Sequence, residues 1–121
     1  MKTYDFGELI TIGSSNELII KKTNWAVDEE ISVPRNLDGI NLNKGGLLMI
    51  QNLTSSFEAG IYDLNTGTQL RAHNKVSFDN TLSTPNKINI KTDDYDNVLT
   101  LKNNLSLSIH LSVRIILLSK I

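Results

Sequence analysis

Cysteine is absent from this 121-residue chain, so disulfides, thiolate metal sites and thiol catalysis are excluded. Proline occurs only as Pro34 and Pro85, and aromatic residues number seven, with Trp25 the single tryptophan. Long apolar runs are missing too: Ile115–Leu118 spans four residues, whereas a spanning helix needs roughly 20. Met1–Glu8 holds no apolar stretch of signal-peptide type, so the chain is expected to stay in the cytoplasm where it is made. Nor is there an excess of one charge. The formal net charge is −1, divided as −3 over residues 1–60 and +2 over residues 61–121. That balance gives no electrostatic footprint for nucleic acid and no polybasic patch for a membrane, so neither is expected as a partner. It also leaves little self-repulsion between copies.

Catalytic and phosphate-binding signatures are lacking as well. Neither Gly-x-Gly-x-x-Gly, nor a Gly-Lys-Ser/Thr loop, nor a Gly-x-Ser-x-Gly elbow occurs. His73 sits in a basic turn and His110 between serines, and two histidines without cysteine do not make a closed zinc site. No enzymatic activity and no cofactor are expected.

What the chain does contain is strands. Leu, Ile, Val and Phe supply 39 residues, enough for the core of one domain covering residues 1–121. Period-two segments recur about every ten residues: Glu8–Ile12, Glu17–Lys22, Ile31–Val33, Leu47–Leu53, Gly60–Leu64, Thr68–Ala72, Val76–Phe78, Lys87–Lys91 and Val98–Lys102. Turn-forming Gly, Asn and Ser clusters separate them, and no window sustains a helical apolar face. The pattern predicts an all-β fold, an antiparallel β-sandwich of jelly-roll or Greek-key type.

The clearest signal runs from Leu105 to Ile115, where apolar and polar residues alternate without a break. It predicts one half-buried strand of roughly 36 Å. Paired with Val98–Lys102 through a three-residue loop, Lys102-Asn103-Asn104, it would set Leu101 opposite Leu105 and Leu99 opposite Leu107, with Asn104 left-handed. Beyond Arg114 both parities turn apolar, as Ile115, Ile116, Leu117 and Leu118. A sandwich strand normally buries one face, so the second face predicts contact with another subunit. The candidate interface is Ser108, His110, Ser112, Arg114, Ile116 and Leu118, on a strand short of the charges that guard an exposed edge.

Other candidates have plainer readings. The oxygen-rich cluster Asp93-Asp94-Tyr95-Asp96-Asn97 has the donors for a calcium ion but not the EF-hand spacing, and reads first as a solvated hairpin tip that needs no ion. The acidic triplet Asp28–Glu30 reads as an exposed loop. Asn52-Leu53-Thr54 and Asn104-Leu105-Ser106 have the form of glycosylation triplets, which matter only on a secreted chain. Trp25, Tyr62 and Tyr95 would serve as sugar-stacking platforms if exposed, and otherwise as core or interface residues.

These readings converge on a non-enzymatic structural or interaction protein forming a homo-oligomer, with a trimer the favoured order. In composition and strand pattern the whole chain resembles small virion components of bacteriophages: head-fibre, capsid-decoration, baseplate or receptor-binding modules. The resemblance rests on no motif and assigns no functional residue. It implies location in a virion or the host cytoplasm, and contact with other virion proteins. The alternative is a carbohydrate-binding jelly-roll module using Trp25, Tyr62 or Tyr95.

Overall fold

In a computed structural model, residues 2–12, 15–37, 40–42, 46–54, 58–64, 69–71, 75–92, 94 and 96–117 are described. All regular structure among them is β, with no helix. The strands are β1 (Lys2–Tyr4), β2 (Gly7–Ile12), β3 (Ser15–Trp25), β4 (Glu30–Pro34), β5 (Asn36–Leu37), β6 (Ile40–Asn41), β7 (Gly46–Asn52), β8 (Glu58–Asp63), β9 (Gln69–Arg71), β10 (Val76–Phe78), β11 (Ile88–Lys91), β12 (Asn97–Asn103) and β13 (Ile109–Leu117).

Seven strands form one antiparallel sheet in the order β1-β2-β3-β13-β7-β8-β9. Four form a second sheet, β10-β11-β12-β4, in which β10 and β11 run parallel. β5 and β6 make a separate two-stranded ribbon, and the sheets are not closed. One core cluster draws on both large sheets. Leu18, Ile20, Leu48, Ile50, Tyr62 and alternate residues of β13 meet Ile31, Val33, Ile88, Ile90, Leu99 and Leu101. Each fully buried aliphatic side chain contributes about 1.5–3 kcal/mol. The alternation is thus the cause of the arrangement. It gives β4, β7 and β13 one face that water must leave, while β11 and β12 bury residues of both parities.

Two expectations about the final stretch are corrected. β12 and β13 do not pair, since β12 lies between β11 and β4 while β13 lies between β3 and β7. The strand itself starts at Ile109, not Leu105, and the chain bends through Leu105–Leu107, burying Leu105 and leaving Leu107 53% exposed. Asn103 explains the break. Its Nδ2 donates to Trp25 O at 2.9 Å and Leu107 O at 3.2 Å, and its Oδ1 accepts the Leu105 N–H at 2.9 Å. Those bonds take up backbone groups that a hairpin ladder would need. Asn104 is not left-handed (among the described residues, the non-glycine ones with positive φ are Asn24, Asp28, Leu82 and Asn86) and its amide donates to Leu82 O and Thr84 O instead.

Trp25 is placed by a bulge. The register of β13 on β3 passes from Ile109–Trp25 to Leu111–Lys22, so Thr23 and Asn24 together oppose His110. One extra residue reverses the parity of the strand beyond it. Trp25, which simple alternation from Ile20 would turn outward, points into the core at 0% exposure. Asn24 absorbs the distortion at φ 53°, a conformation asparagine tolerates better than most residues.

Candidate interaction surface

β13 is the central strand of its sheet, hydrogen-bonded on both sides, and so is not the unguarded edge expected from its sequence. Its odd-numbered residues, Ile109 to Leu117, are all buried. Its even-numbered residues face the other side of the sheet, where His110 and Arg114 are exposed and Ser112 and Ile116 are half-buried; Ser108, also exposed, precedes the strand. Leu118 lies outside the described residues.

The register extends this outer face across the neighbouring strands. One row holds Glu17, Ile116, Leu47 and Asp63; the next holds Glu8, Ile19, Arg114, Met49 and Ile61; a third holds Lys21, Ser112 and Gln51. Ile19, Ile116, Leu47, Met49 and Ile61 therefore adjoin as a block of five aliphatic side chains, each half-buried. Within the block Arg114 Nη1 lies 3.3 Å from Glu17 Oε1. That oxygen is enclosed and receives no hydrogen bond.

Sequence reasoning missed Glu17, Ile19, Leu47, Met49 and Ile61. The signal was present: Leu18-Ile19-Ile20 and Leu47-Leu48-Met49-Ile50 are apolar on both parities, as are Ile115-Ile116-Leu117. Three such two-sided runs, on adjacent strands, supply four members of the block, and Ile61 of β8 is the fifth.

His110 is occupied locally. Its Nδ1 accepts the Asn24 N–H at 3.1 Å, its own N–H donates to Thr54 Oγ1 at 2.7 Å, and its carbonyl accepts the Leu53 N–H at 2.7 Å. The imidazole thus holds the bulge. His73 lies outside the described residues.

Trp25 and Tyr62 are not exposed sugar platforms: both are fully buried, Trp25 by the bulge and Tyr62 on the inner face of β8. Gly60 makes room for the second, since a Cβ there would stand 2.5 Å from the Tyr62 ring. Tyr95 lies outside the described residues, so two of the three aromatic contacts are removed from the surface.

In the acidic turn, Asp94 Oδ1 accepts the Asp96 N–H at 3.0 Å and Oδ2 accepts from Asn97 Nδ2 at 3.3 Å. These bonds, the Asp96 N–H foremost, hold its carboxyl below the ordinary range. Arg35 secures the same turn by donating to the carbonyls of Asp94 and Asn97. Asp93 lies outside the described residues, and no group of three or more His, Cys, Asp or Glu among those described is placed to hold a metal ion.

Of the triplet 28–30, Asp28 and Glu30 are exposed. Glu29 accepts the Ala26 N–H at 2.9 Å and pairs with Lys22 at 3.0 Å, which together lower its pKa. Both glycosylation-type asparagines serve the fold. Asn52 is buried and its Oδ1 accepts the Thr54 N–H, while the Asn104 amide is taken up by the Leu82 and Thr84 carbonyls. No helix of the described residues is long and apolar enough to cross a membrane. No protein-family model, curated protein or solved structure matches this chain.

Proposed function

We propose that the chain is a non-enzymatic structural protein that assembles into a homo-oligomer through the outer face of its seven-stranded sheet. In this reading it is a small bacteriophage virion component of the head-fibre, capsid-decoration, baseplate or receptor-binding kind, and its two large sheets form a β-sandwich. The single observation carrying the oligomer is the aliphatic block Ile19, Leu47, Met49, Ile61 and Ile116 on the side of the sheet that faces away from the core. Contiguous aliphatic side chains left part-exposed on the outer side of a sheet support this reading. Its position at the middle of the widest sheet supports a broad contact surface.

Solution mass by light scattering tests the assembly. The wild type is expected at a multiple of 13.5 kDa, and Ile116→Asp and Met49→Asp at the single-chain mass with an unchanged β circular dichroism spectrum. A monomeric wild type overturns the proposal. Mass spectrometry of purified phage particles tests the virion assignment, which fails if the chain is confined to the host lysate.

A further inference from the structure

We infer that the partner on the outer face is a second copy related by a two-fold axis, and that each Arg114 binds the Glu17 carboxylate of the other chain. This rests on the homo-oligomer reading and specifies its symmetry and its contacts.

The argument begins with Glu17. A carboxylate oxygen shut off from solvent without a hydrogen bond is costly, and Glu17 Oε1 is one. Arg114 of the same chain supplies charge at 3.3 Å but no aligned hydrogen bond to that oxygen. The Arg114 side chain is 51% exposed and that of Glu17 19%, so the guanidinium still presents donors toward solvent beside the enclosed acid. A guanidinium carries five N–H donors in a planar fork, suited to engaging two carboxylates at once.

Arg114 and Glu17, side by side with Ile19 and Ile116, are complementary to themselves, while Glu8, Lys21 and Asp63 lie farther out on the same face. An isologous contact uses this property, because residue i of one copy meets residue j of the other and j meets i. A face bearing only one sign would repel its copy. Here the rotation that lays Arg114 over the partner's Glu17 also lays Glu17 over the partner's Arg114.

The register then fixes the axis. On β3 and β13, Glu17 is opposite Ile116 and Ile19 is opposite Arg114. Glu17 and Arg114 therefore occupy one diagonal of a four-residue cell, and Ile19 and Ile116 the other. The two-fold that exchanges the first diagonal runs along the second. Ile19 and Ile116 meet their own counterparts, and the strands of the two copies cross steeply, close to the orthogonal class of sheet packing. The alternating charges sit between apolar contacts. Such a contact closes at two copies.

Charge reversal and mixing test this arrangement. Glu17→Arg and Arg114→Glu are each expected to be monomeric by light scattering, and an equimolar mixture to form a heterodimer. The double variant Glu17→Arg/Arg114→Glu is expected to recover the homodimer. Intrachain pairing alone cannot produce the heterodimer, because each single variant keeps its repulsion within the chain. Should a reversal variant fail to fold, the absence of native cysteine allows a second measurement. Ile116→Cys is expected to oxidise to a covalent dimer on non-reducing gels, whereas Ser112→Cys, off the axis, stays single.

A mixture that remains monomeric, or an Ile116→Cys chain that does not crosslink, overturns the two-fold pairing. A wild-type oligomer dispersed by Met49→Asp would then leave the oligomer reading standing. A trimeric mass does the same. A monomeric wild type, or capture of a different protein on the face with no self-association, overturns both.

Discussion

β13 and the crossing Asn104–Ser108 belong to nearly the same alternating stretch of sequence, yet they are held by different forces. β13 is secured by burial of every second side chain and by ladders on both sides. The crossing has no strand partner: the Asn104 N–H donates to Lys87 O and its carbonyl accepts the Asn86 N–H, while the Asn103 side chain takes the Leu105 N–H and the Leu107 carbonyl. A period of two states which side chains can share a face. It does not state where a pairing strand will be found. Where one is near, the alternation becomes a strand; where side-chain amides take the backbone groups first, it becomes a bend.

The sharpest way to break the β13 half is Val113→Asp. It places an unpaired carboxylate at a fully buried position, and loss of cooperative folding is expected in urea titration. Ile115→Ala is the graded version, expected to cost about 2–5 kcal/mol. Asn103→Leu tests the other half. It strands the Trp25 and Leu107 carbonyls and the Leu105 N–H, for an expected loss of about 2–4 kcal/mol. Fluorescence of Trp25 reports that site directly, since no other tryptophan is present. If Asn103→Leu proved neutral, the claim that amides hold the crossing would be lost.

Much of this fold was legible, and what was not has more than one cause. The expected segments at 8–12, 17–22, 31–33, 47–53, 60–64, 76–78, 87–91 and 98–102 each overlap an observed strand. Strand positions depend on local alternation, which the sequence displays. Pairing depends on partners distant in the chain, and the expected Leu101–Leu105 register failed there. The β5–β6 ribbon carried too few residues to show a period. The core reading of Trp25 held, but its cause was not legible: a bulge of one residue reverses parity, and nothing local distinguishes Thr23-Asn24 from regular strand. At the candidate interface, Arg114 and Ile116 were readable from β13 alone. Glu17, Ile19, Leu47 and Met49 needed the strand order.

A smaller contrast lies in the loop after β10, another polar region without a ladder. Asp79 accepts the N–H groups of Thr81 and Ser83 and the hydroxyls of Thr81 and Thr84. These bonds, led by the Thr81 N–H, hold its pKa far below the usual carboxylate range. The sign comes from linkage: a depressed folded-state pKa adds stability that is fully present above the unfolded value of about 4 and is lost as pH falls below it. Asp79→Asn is expected to flatten the acid limb of the stability–pH profile, measured by thermal melting from neutral pH downward. An unchanged acid limb would show that the loop gains nothing from the charge. Leu107→Ser marks the small end of the scale. This exposed side chain on the crossing should alter folding stability by less than about 0.5 kcal/mol in the same urea titration.

The central place of β13 has a consequence in time. Leu18 and Leu48 lie in different strands, and Ile115 pairs with both. β3 and β7 therefore remain unjoined until a segment far along the chain arrives between them. Assembly of this sheet is ruled by long loop closures, which hairpins such as β2–β3 and β7–β8 cannot shortcut. Until that strand docks, each hairpin carries an open edge and a bare apolar face, the state in which β proteins are captured by the wrong neighbour.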